Sequence, residues 1–363
     1  MKILILSDIQ DHAKKCAEGL LELGNDIVYA YPKGMVTKGV KLDNRISKVE
    51  LPYGGGKNYF LNFLSLRNLC KKIKPDVIHV HYATGFGLLA TLASVHPIVI
   101  SCYGSDIFDF PQKNKLNYLL LRYILRNAEG LQSTSIVMSN EIKSIIKESG
   151  QVIDIIPFGI NLHKFKPIYR PKESHRPIVG FIKSLYPVYD VPLLINAFNI
   201  VLKEMKYKPL LKIVGGGPML DELQCMVKDL KIEENVSFVG RIPNEDIPDM
   251  LNTFDVLVNS SKEESFGVNL LEAMACQVPV ISTDCVGPKE VLEEGKCGIL
   301  LKDRSPKTMA DAIINILNNK EESGLIVENA RRRIEEYYDW NKNVVQLHNS
   351  LIQVVEMYNN KNR

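Results

Sequence analysis

Residues 255–282 read DVLVNSSKEESFGVNLLEAMACQVPVIS, and this stretch decides the fold. Two short apolar runs, Asp255 to Asn259 and Val278 to Ser282, flank an acidic turn and the start of an apolar helix. A strand, a helix and a second strand in this order predict a βαβ unit. Ligands bind at the carboxyl ends of the strands in such sheets, so the segment Glu264 to Glu272 lies where a binding site is expected.

The same alternation of short β-rich runs and amphipathic stretches extends over the rest of the chain. It predicts parallel α/β sheets with helices on both faces. The strands predicted in the first half are Ile3 to Leu6, Asp26 to Ala30, Val77 to Val80, Ile98 to Ser101, Gly130 to Ser133 and Val152 to Ile156. Those predicted in the second half are Ile178 to Ile182, Leu210 to Val214, Val236 to Val239, Asp255 to Asn259, Val278 to Ser282 and Gly298 to Leu301.

Proline, glycine and charged residues concentrate between the two series, over residues 157–176, and predict a linker. A chain of 363 residues suits two domains of roughly 150 residues each. We therefore predict two Rossmann-like domains, residues 1–165 and 166–339, whose parallel sheets face each other across a ligand-binding cleft. The amphipathic segment that begins at Trp340 predicts a final helix, within residues 340–363, that packs back on the first domain.

Composition and charge exclude several classes of protein. The formal net charge is +3, too small to indicate a nucleic-acid partner. The seven cysteines form no CxxC pair, which favours reduced thiols in a cytoplasmic protein over a disulfide framework or a zinc site. The sequence shows no signal-peptide pattern and no run of about 18 apolar residues, so we expect neither secretion nor a membrane span.

Glu264 and Glu272 carry the chemistry of the central segment. A carboxylate in the turn after a strand accepts hydrogen bonds from sugar hydroxyls, and one on the following helix can hold both vicinal hydroxyls of a ribose. Between them, the turn Ser265-Phe266-Gly267 opens a helix whose first N–H groups suit a diphosphate. The alternative interpretation is a surface glutamate and a glutamate that interacts with the helix dipole.

A glycine run, Gly215-Gly216-Gly217, follows one predicted strand and precedes a predicted helix. Glycine-rich turns let the backbone approach a ligand closely. This run is neither a GxGxxG motif nor a P-loop, and a tight β-to-α turn is the alternative interpretation.

In order and spacing, these segments resemble those of the retaining glycosyltransferases of the GT-B class, family 4, also called glycosyl transferases group 1. The resemblance extends over nearly the whole chain and is strongest from Leu211 to Leu301. The matching segments are LKIVGGGP at 211–218, VSFVGRIP at 236–243, the segment Glu264 to Glu272, AMACQVPV at 273–280, GILL at 298–301 and, between the domains, PFGINL at 157–162.

The resemblance implies a GT-B fold and a nucleotide-diphosphate sugar donor, UDP- or GDP-linked, in the second domain. It implies that Glu264 contacts the donor sugar and Glu272 the ribose. The residues that it places at the donor are Gly215, Gly216, Arg241, Ile242, Ser265, Phe266, Gly267, Val268 and Glu272. It also implies transfer with no cofactor and no metal, in agreement with the lack of a clear DxD motif, so cations and amide dipoles would stabilise the leaving diphosphate.

Two positions depart from the family pattern. The turn after the first strand of the second domain usually carries an arginine and a lysine, whereas here Lys183 is the single cation and Val188 stands where the lysine is expected. In the first domain, Tyr103 replaces the histidine of a His-Gly-x-Asp turn that ends at Asp106. A tyrosine hydroxyl still donates a hydrogen bond, and the family mechanism needs no protein base because a phosphate oxygen takes the acceptor proton. The predicted catalytic residues are Glu264, Lys183, Tyr103 and Asp106.

Acceptor binding is expected in the first domain, at Asp8, Gln10 and His81. Asp8 follows the first strand, where relatives often carry a Gly-Gly pair, and a helix-capping role for Asp8 and Asp11 is the alternative. His79 and His81 share one face of a strand, but no third ligand follows at a useful spacing, so we predict no metal site. We interpret His79 as structural, and His81 as either structural or part of the acceptor site.

Two stretches, residues 57–74 and 113–126, combine aromatic residues, leucines and cations. Basic amphipathic helices of this kind bind anionic membranes, and acceptors in bacterial surface-polysaccharide pathways are often lipid-linked. Peripheral contact with the inner face of the membrane is therefore a hypothesis, and core-facing helices with solvated basic faces are the alternative.

We predict a cytoplasmic, metal-independent, retaining hexosyltransferase. It would move a sugar from a nucleotide-diphosphate sugar to a hydroxyl of a sugar or lipid-linked sugar, in bacterial surface-polysaccharide or glycolipid biosynthesis. One alternative is a non-catalytic nucleotide-sugar-binding subunit, which the departures at Val188 and Tyr103 favour. Another is a nucleotide-sugar epimerase or a phosphorylase on the same fold.

Overall fold

The computed structural model describes residues 1–55, 58–147, 151–168 and 176–361. The chain forms two compact units: Met1–Pro157 with Asn341–Arg363 make the first, and Phe158–Trp340 makes the second. Lys57 of the predicted basic stretch and residues 169–175 of the predicted linker lie outside the described residues. Each unit is built on its own parallel sheet.

The first unit contains a seven-stranded sheet with the order β3-β2-β1-β4-β5-β6-β7. Its strands are β1 Lys2–Leu6, β2 Asp26–Pro32, β3 Ser47–Leu51, β4 Val77–His81, β5 Ile98–Cys102, β6 Gly130–Ser133 and β7 Val152–Ile155. The central strands are apolar over nearly their whole length because helices cover both faces of a parallel sheet. In β1, for example, Ile3 to Leu6 are all fully buried.

Strand β3 is missing from the sequence-based prediction. Its sequence, SKVEL, is polar at three of five positions, and those three side chains are exposed. β3 lies at the edge of the sheet, paired only with β2 among the described residues, so one side of it needs no apolar cover.

The second unit contains a six-stranded sheet with the order β10-β9-β8-β11-β12-β13. Its strands are β8 Ile178–Ile182, β9 Leu210–Val214, β10 Val236–Gly240, β11 Val256–Asn259, β12 Val280–Thr283 and β13 Ile299–Leu301. In both sheets the chain first adds strands on one side of the starting strand and then crosses to the other side. Such a switch point, between β1 and β4 and between β8 and β11, leaves a crevice at the carboxyl ends of the strands.

Helices connect the strands in both units. Those of the first unit are α1 Asp11–Glu22, α2 Phe63–Ile73, α3 Leu88–Ala93, α4 Ser105–Phe108, α5 Lys115–Arg126 and α6 Ile136–Ile146, with 3-10 turns at Asn58–Asn62 and Pro111–Lys113 and a π-helical turn at Ala83–Gly87. Those of the second unit are α7 Val191–Glu204, α8 Leu220–Asp229, α9 Ile247–Leu251, α10 Val268–Ala275, α11 Val286–Val291, α12 Pro306–Asn318 and α13 Lys320–Tyr337, with 3-10 turns at Pro187–Tyr189, Glu233–Asn235 and Glu293–Gly295. None of the helices in the described parts of the chain has the length and apolarity that a bilayer crossing demands.

The last helix, α14 Trp340–Lys361, packs on the sheet of the first unit. Ser350 on this helix donates a hydrogen bond to Asp154 Oδ2 at 2.6 Å and accepts one from Gln132 Nε2 at 2.9 Å. Gly130 lets the helix approach the sheet, since a Cβ there would lie 2.6 Å from a methyl group of Val354. The first unit is thus completed by the chain's last helix.

Several predicted strand ends differ from the structure by one or two residues, and two predicted starts are wrong for an identifiable reason. The amphipathic helix predicted within residues 57–74 begins only at Phe63, because the buried side chain of Asn62 is hydrogen-bonded to both backbone groups of Tyr53 and holds the preceding residues in a 3-10 turn. The strand predicted from Val278 begins at Val280, because Val278 N instead donates to Ala273 O and closes the end of α10.

Candidate functional site

The predicted donor residues of the second unit converge on its switch point. Lys183 directly follows β8, and Glu264 lies in the turn after β11. The two side chains form an ion pair, and each is more than four-fifths buried. Lys183 Nζ also lies 3.2 Å from Ser261 Oγ and 4.5 Å from the centroid of the Tyr189 ring. A cation and a carboxylate therefore meet where the topology opens a crevice.

The environment of Lys183 lowers the pKa of its amine. Burial lowers the pKa of Lys183 to about 8. The adjacent Glu264 carboxylate opposes this shift because an opposite charge favours the protonated amine. Lys183 is thus mainly a cation at neutral pH, in a place where water screens its charge poorly.

The glycine run brings the turn after β9 against the turn after β8. Gly215 has a φ of +140°, and a Cβ there would overlap the carbonyl oxygen of Lys183. Leu185 N donates to Gly216 O at 3.2 Å, which ties the two turns together. Gly216 also lies beneath the side chain of Arg241, whose Nε would be 3.1 Å from an added Cβ. The predicted donor residues Gly215, Gly216 and Arg241 are therefore neighbours, close to the backbone of Lys183.

The turn before α10 is fixed by its one large side chain. Phe266 is buried and packs edge-to-face on Phe158 at 5.0 Å between ring centroids. Gly267 follows with a φ of +96° and is the N-cap residue of α10. Because the ring of Phe266 packs into the core, Phe266 and Gly267 can offer a ligand only backbone N–H groups, and those at the start of α10 have no acceptor within the helix.

The remaining donor residues lie on the same segment or next to it. Ser265 is partly buried, Val268 is exposed at the first position of α10, and Glu272 is partly buried in the second turn of that helix. Ile242 follows Arg241 and packs against the apolar cluster that contains Phe266. Their roles at a donor stay predictions.

Sequence reasoning missed three residues around Lys183. Ser261 and Tyr189 contact its amine, and Arg304 braces the same loop by donating to Ser261 O at 2.6 Å, to Ser260 O at 3.1 Å and to Asp190 Oδ2 at 2.6 Å. The Ser260-Ser261 pair directly follows β11, so its position was a usable signal. Arg304 follows β13 and matches no motif, so only the structure reveals it.

In the first unit, the predicted residues lie at the carboxyl ends of β1, β4 and β5. The hydroxyl of Tyr103 is 2.5 Å from His81 Nδ1, and its ring packs edge-to-face on His12 at 4.8 Å. Burial lowers the pKa of His81 and raises the pKa of Tyr103 well above its usual range. Both groups are therefore neutral, which excludes Tyr103 as a proton shuttle near neutral pH.

Asp106 is buried, and its carboxylate accepts hydrogen bonds from backbone N–H groups. Its carboxylate accepts hydrogen bonds from Ala83 N at 2.9 Å, Tyr103 N at 3.1 Å and Gly104 N at 2.9 Å. Burial raises the pKa of Asp106, and these hydrogen bonds oppose that shift. The geometry makes Asp106 an anchor for the turn that carries Tyr103, and direct contact with a substrate stays a prediction.

The loop after β1 presents Asp8 and Gln10, both partly buried. Ser7 Oγ donates to Asp8 Oδ1 at 3.1 Å, and Tyr29 Oη donates to Asp8 O at 2.6 Å. Gln10 is the N-cap residue of α1 and makes no capping hydrogen bond through its side chain within the described structure. Asp8 is therefore not the helix cap, and neither residue is assigned to an acceptor by its contacts.

His79 is a core residue, as predicted from its position on the strand. Its Nε2 lies 2.8 Å from Ser101 Oγ and 3.1 Å from Gln132 Oε1, and the residue is fully buried. Gln132 continues this chain of hydrogen bonds to Ser350 on α14.

Comparison with known proteins adds an independent line of evidence. The family model described as "Glycosyl transferases group 1" matches residues 165–333, and that described as "Glycosyl transferase 4-like" matches residues 2–135. N-acetyl-alpha-D-glucosaminyl L-malate synthase of Bacillus anthracis is 30% identical over 283 residues, which cover 75% of this chain and 73% of that protein.

Solved structures share the fold at low sequence identity. Sucrose-phosphate synthase from Thermosynechococcus elongatus superposes with a TM-score of 0.79 at 18% identity, over 98% of this chain and 100% of that one. Anabaena Alr3699/HepE, solved in complex with UDP and glucose, has a TM-score of 0.74 at 17% identity, over 97% and 100% of the two chains.

Proposed function

Since this chain belongs to the glycosyl transferases group 1 family and is a glycosyltransferase of GT-B fold, we propose that it transfers a sugar from a nucleotide-diphosphate sugar to an acceptor hydroxyl with retention of the anomeric configuration. The buried Lys183–Glu264 pair at the switch point of the second unit carries this proposal. The bond from the anomeric carbon to the diphosphate breaks, and the acceptor oxygen bonds to the same face of the sugar. The departing phosphate oxygen takes the acceptor's proton, so atoms and charges balance without a protein base.

Lys183 and the start of α10 would stabilise the negative charge that develops on the leaving diphosphate. Oriented cations and amide dipoles in a poorly screened site are effective in this role because they need no reorganisation during the reaction. Lys183 forms an ion pair with Glu264. A bound diphosphate would compete for Lys183 and free the Glu264 carboxylate to accept hydrogen bonds from the donor sugar.

The donor would be UDP- or GDP-linked, and transfer would need no metal or other cofactor. The UDP complex of the Anabaena structural neighbour supports a uridine nucleotide as the first choice for assay. The nucleotide would lie beside the glycine run and Arg241, which contact each other, and Glu272 would hold its ribose.

The test of this function is donor turnover with matched lysine variants. Purified protein is incubated with UDP- and GDP-linked sugars and candidate acceptors, and released nucleotide is measured. Lys183→Ala should lower kcat/KM by about 100- to 1000-fold, the usual effect of removing one charge-stabilising group. Lys302→Ala, which removes an exposed lysine on the turn after β13, should leave kcat/KM nearly unchanged. Donor binding without nucleotide release from any donor would contradict transfer, and inverted configuration of the product by NMR would contradict retention.

We also propose that the acceptor is presented at a membrane surface. Four leucines are exposed, and several lysines lie near them in the sequence. They are Leu61 on the 3-10 turn, Leu64 on α2, and Leu116 and Leu119 on α5. Apolar side chains flanked by cations favour anionic lipid surfaces. A sugar acceptor linked to a lipid would be held at such a surface.

Flotation with vesicles tests this contact. The protein should float with vesicles that contain anionic lipid, more weakly at high salt, and Leu64→Glu with Leu116→Glu should abolish flotation. Tyr207→Glu is the matched control, because Tyr207 is as exposed as Leu116, at 74%, but lies in the second unit. Equal flotation of all variants, or none by the unmodified protein at low salt, would end the membrane proposal.

A further inference from the structure

Three side chains with soft or borderline donor atoms meet at the switch point of the first unit. His12 and Cys16 are four residues apart on α1, so they share one face of that helix. His81 is the last residue of β4, the strand that pairs with β1 across the switch point. One ring nitrogen of each histidine and the sulfur of Cys16 all lie within 4.8 Å of one another. We call these residues the His12–Cys16–His81 cluster.

The His81 ring has a free nitrogen inside the protein. His81 is fully buried, and its Nδ1 is engaged by the Tyr103 hydroxyl at 2.5 Å. Its Nε2 has no hydrogen-bond partner among the described residues. Buried polar atoms are nearly always paired, so an orphaned nitrogen on a ring that lies close to a thiol and a second imidazole points to a ligand.

The donor set points to a particular class of ion. Two imidazoles and one thiol, with no carboxylate in the cluster, suit Zn²⁺ or Cu⁺ and disfavour Mg²⁺ and Ca²⁺. His12 remains partly exposed, which leaves a route for the ion from solvent.

The distances fit a tetrahedral ion after small side-chain movements. Ligand atoms around Zn²⁺ lie roughly 3.3–3.6 Å apart, given the usual zinc–nitrogen and zinc–sulfur bond lengths. Cys16 Sγ and His12 Nε2 are already 3.7 Å apart. The other separations, at most 4.8 Å, need to shorten by about 1 Å, which side-chain rotation can supply.

We propose that His12, Cys16 and His81 form a binding site for a single zinc-like metal ion, with a fourth position open to water. Cys16 loses its thiol proton to solvent as the sulfur–metal bond forms. His81 would donate its Nδ1–H to the Tyr103 oxygen, which fixes the tautomer that presents the other nitrogen to the metal. Tyr103 is then a positioning residue for the metal site. The ion would fix the start of α1 against β4, beside the loop that carries Asp8 and Gln10.

Cobalt titration of the full chain tests this site. The protein is reduced, stripped with a chelator and titrated with Co²⁺, whose thiolate bond gives a near-ultraviolet absorption band. The unmodified protein should bind one equivalent with this band and release the cobalt to Zn²⁺. Cys225→Ser, which removes an exposed thiol outside the cluster, should behave identically.

The variants separate a metal site from simple packing. Cys16→Ser should lose the thiolate band, and His12→Gln should weaken Co²⁺ affinity by more than about tenfold. Tyr103→Phe should keep the band but weaken affinity by about tenfold, as expected for loss of an outer hydrogen bond. The unmodified protein decides the matter even if a variant misfolds. Absence of a thiolate band in it, or a band that disappears with Cys225→Ser, overturns the proposal and leaves the cluster as core packing.

Discussion

Lys183 is subject to two opposing influences on its pKa. Burial favours the neutral amine, whereas the paired Glu264 carboxylate favours the charged form. A diphosphate adds negative charge and would favour the charged form further. The proton on Lys183 therefore matters most in the free enzyme, before the donor binds.

The first prediction concerns pH at this residue. Because the pKa of Lys183 is lowered to about 8, the cation is present below that pH and is lost as pH rises through it. We expect kcat/KM for the donor to fall above about pH 8, following the decreasing fraction of Lys183 that is still protonated. Lys183→Arg keeps its charge over the whole alkaline range, so its profile should not show this decline. An identical alkaline decline in both proteins would assign the titration to another group.

A second prediction concerns the glycine at the end of β9. Gly215→Ala places a Cβ against the Lys183 carbonyl and forces an L-residue to a φ of +140°. We expect a loss of stability of at least about 1–3 kcal/mol in the second unit, together with weaker donor binding. Gly324→Ala is the matched control, because Gly324 lies within α13 and no described atom lies within 4 Å of its added Cβ. That change should stabilise the unit by about 0.5–1 kcal/mol. Hydrogen exchange in the second unit, which contains both glycines, measures the stability change of each variant. Equal changes from the two substitutions would contradict the strain argument.

At the scale of elements, α14 is the helix with the most distant partners in sequence. Ser350 joins Gln132 on β6 and Asp154 on β7 through two buried or partly buried hydrogen bonds. These contacts, and the close approach at Gly130, explain why the helix belongs to the first unit although the second unit precedes it in the chain.

The third prediction follows from that contact. Ser350→Ala leaves Gln132 and Asp154 without their common partner and should destabilise the first unit by about 1–3 kcal/mol. Gln353→Ala, at an exposed position of the same helix, should change stability by less than about 0.5 kcal/mol. Faster hydrogen exchange in β6 and β7 only with Ser350→Ala is the expected result. Unchanged exchange in these strands would mean that α14 is held by its apolar side chains alone.

Most elements could be predicted because their apolar periodicity is strong. Buried strands such as β8 and β9 read as unbroken apolar runs with clear ends. Edge strand β3 could not be found in this way, because half of its surface faces water. The start of α2 could not be predicted, because hydrogen bonds between the Asn62 side chain and the backbone of Tyr53 set it, and periodicity does not report such contacts.

At the scale of the whole molecule, the two units repeat one winding order. This order predicts which loops meet at each switch point, so the convergence of the Lys183 and Glu264 loops follows from topology alone. Side-chain contacts do not follow from it. Tyr189 reaches Lys183 from another loop, and Arg304 braces the Ser261 loop beside it. His12 and Cys16 are four residues apart, but nothing in the sequence shows that His81 lies against them.

The return of the chain to the first unit has a consequence for its synthesis. A ribosome completes all seven strands of the first sheet well before it makes α14, with the whole second unit in between. During that interval, the surface around Gly130 and Gln132 that α14 covers remains exposed, and chaperones and other nascent chains can contact it. We therefore infer that the second unit can fold before the first unit is complete, because the first unit reaches its final form only after α14 has been made.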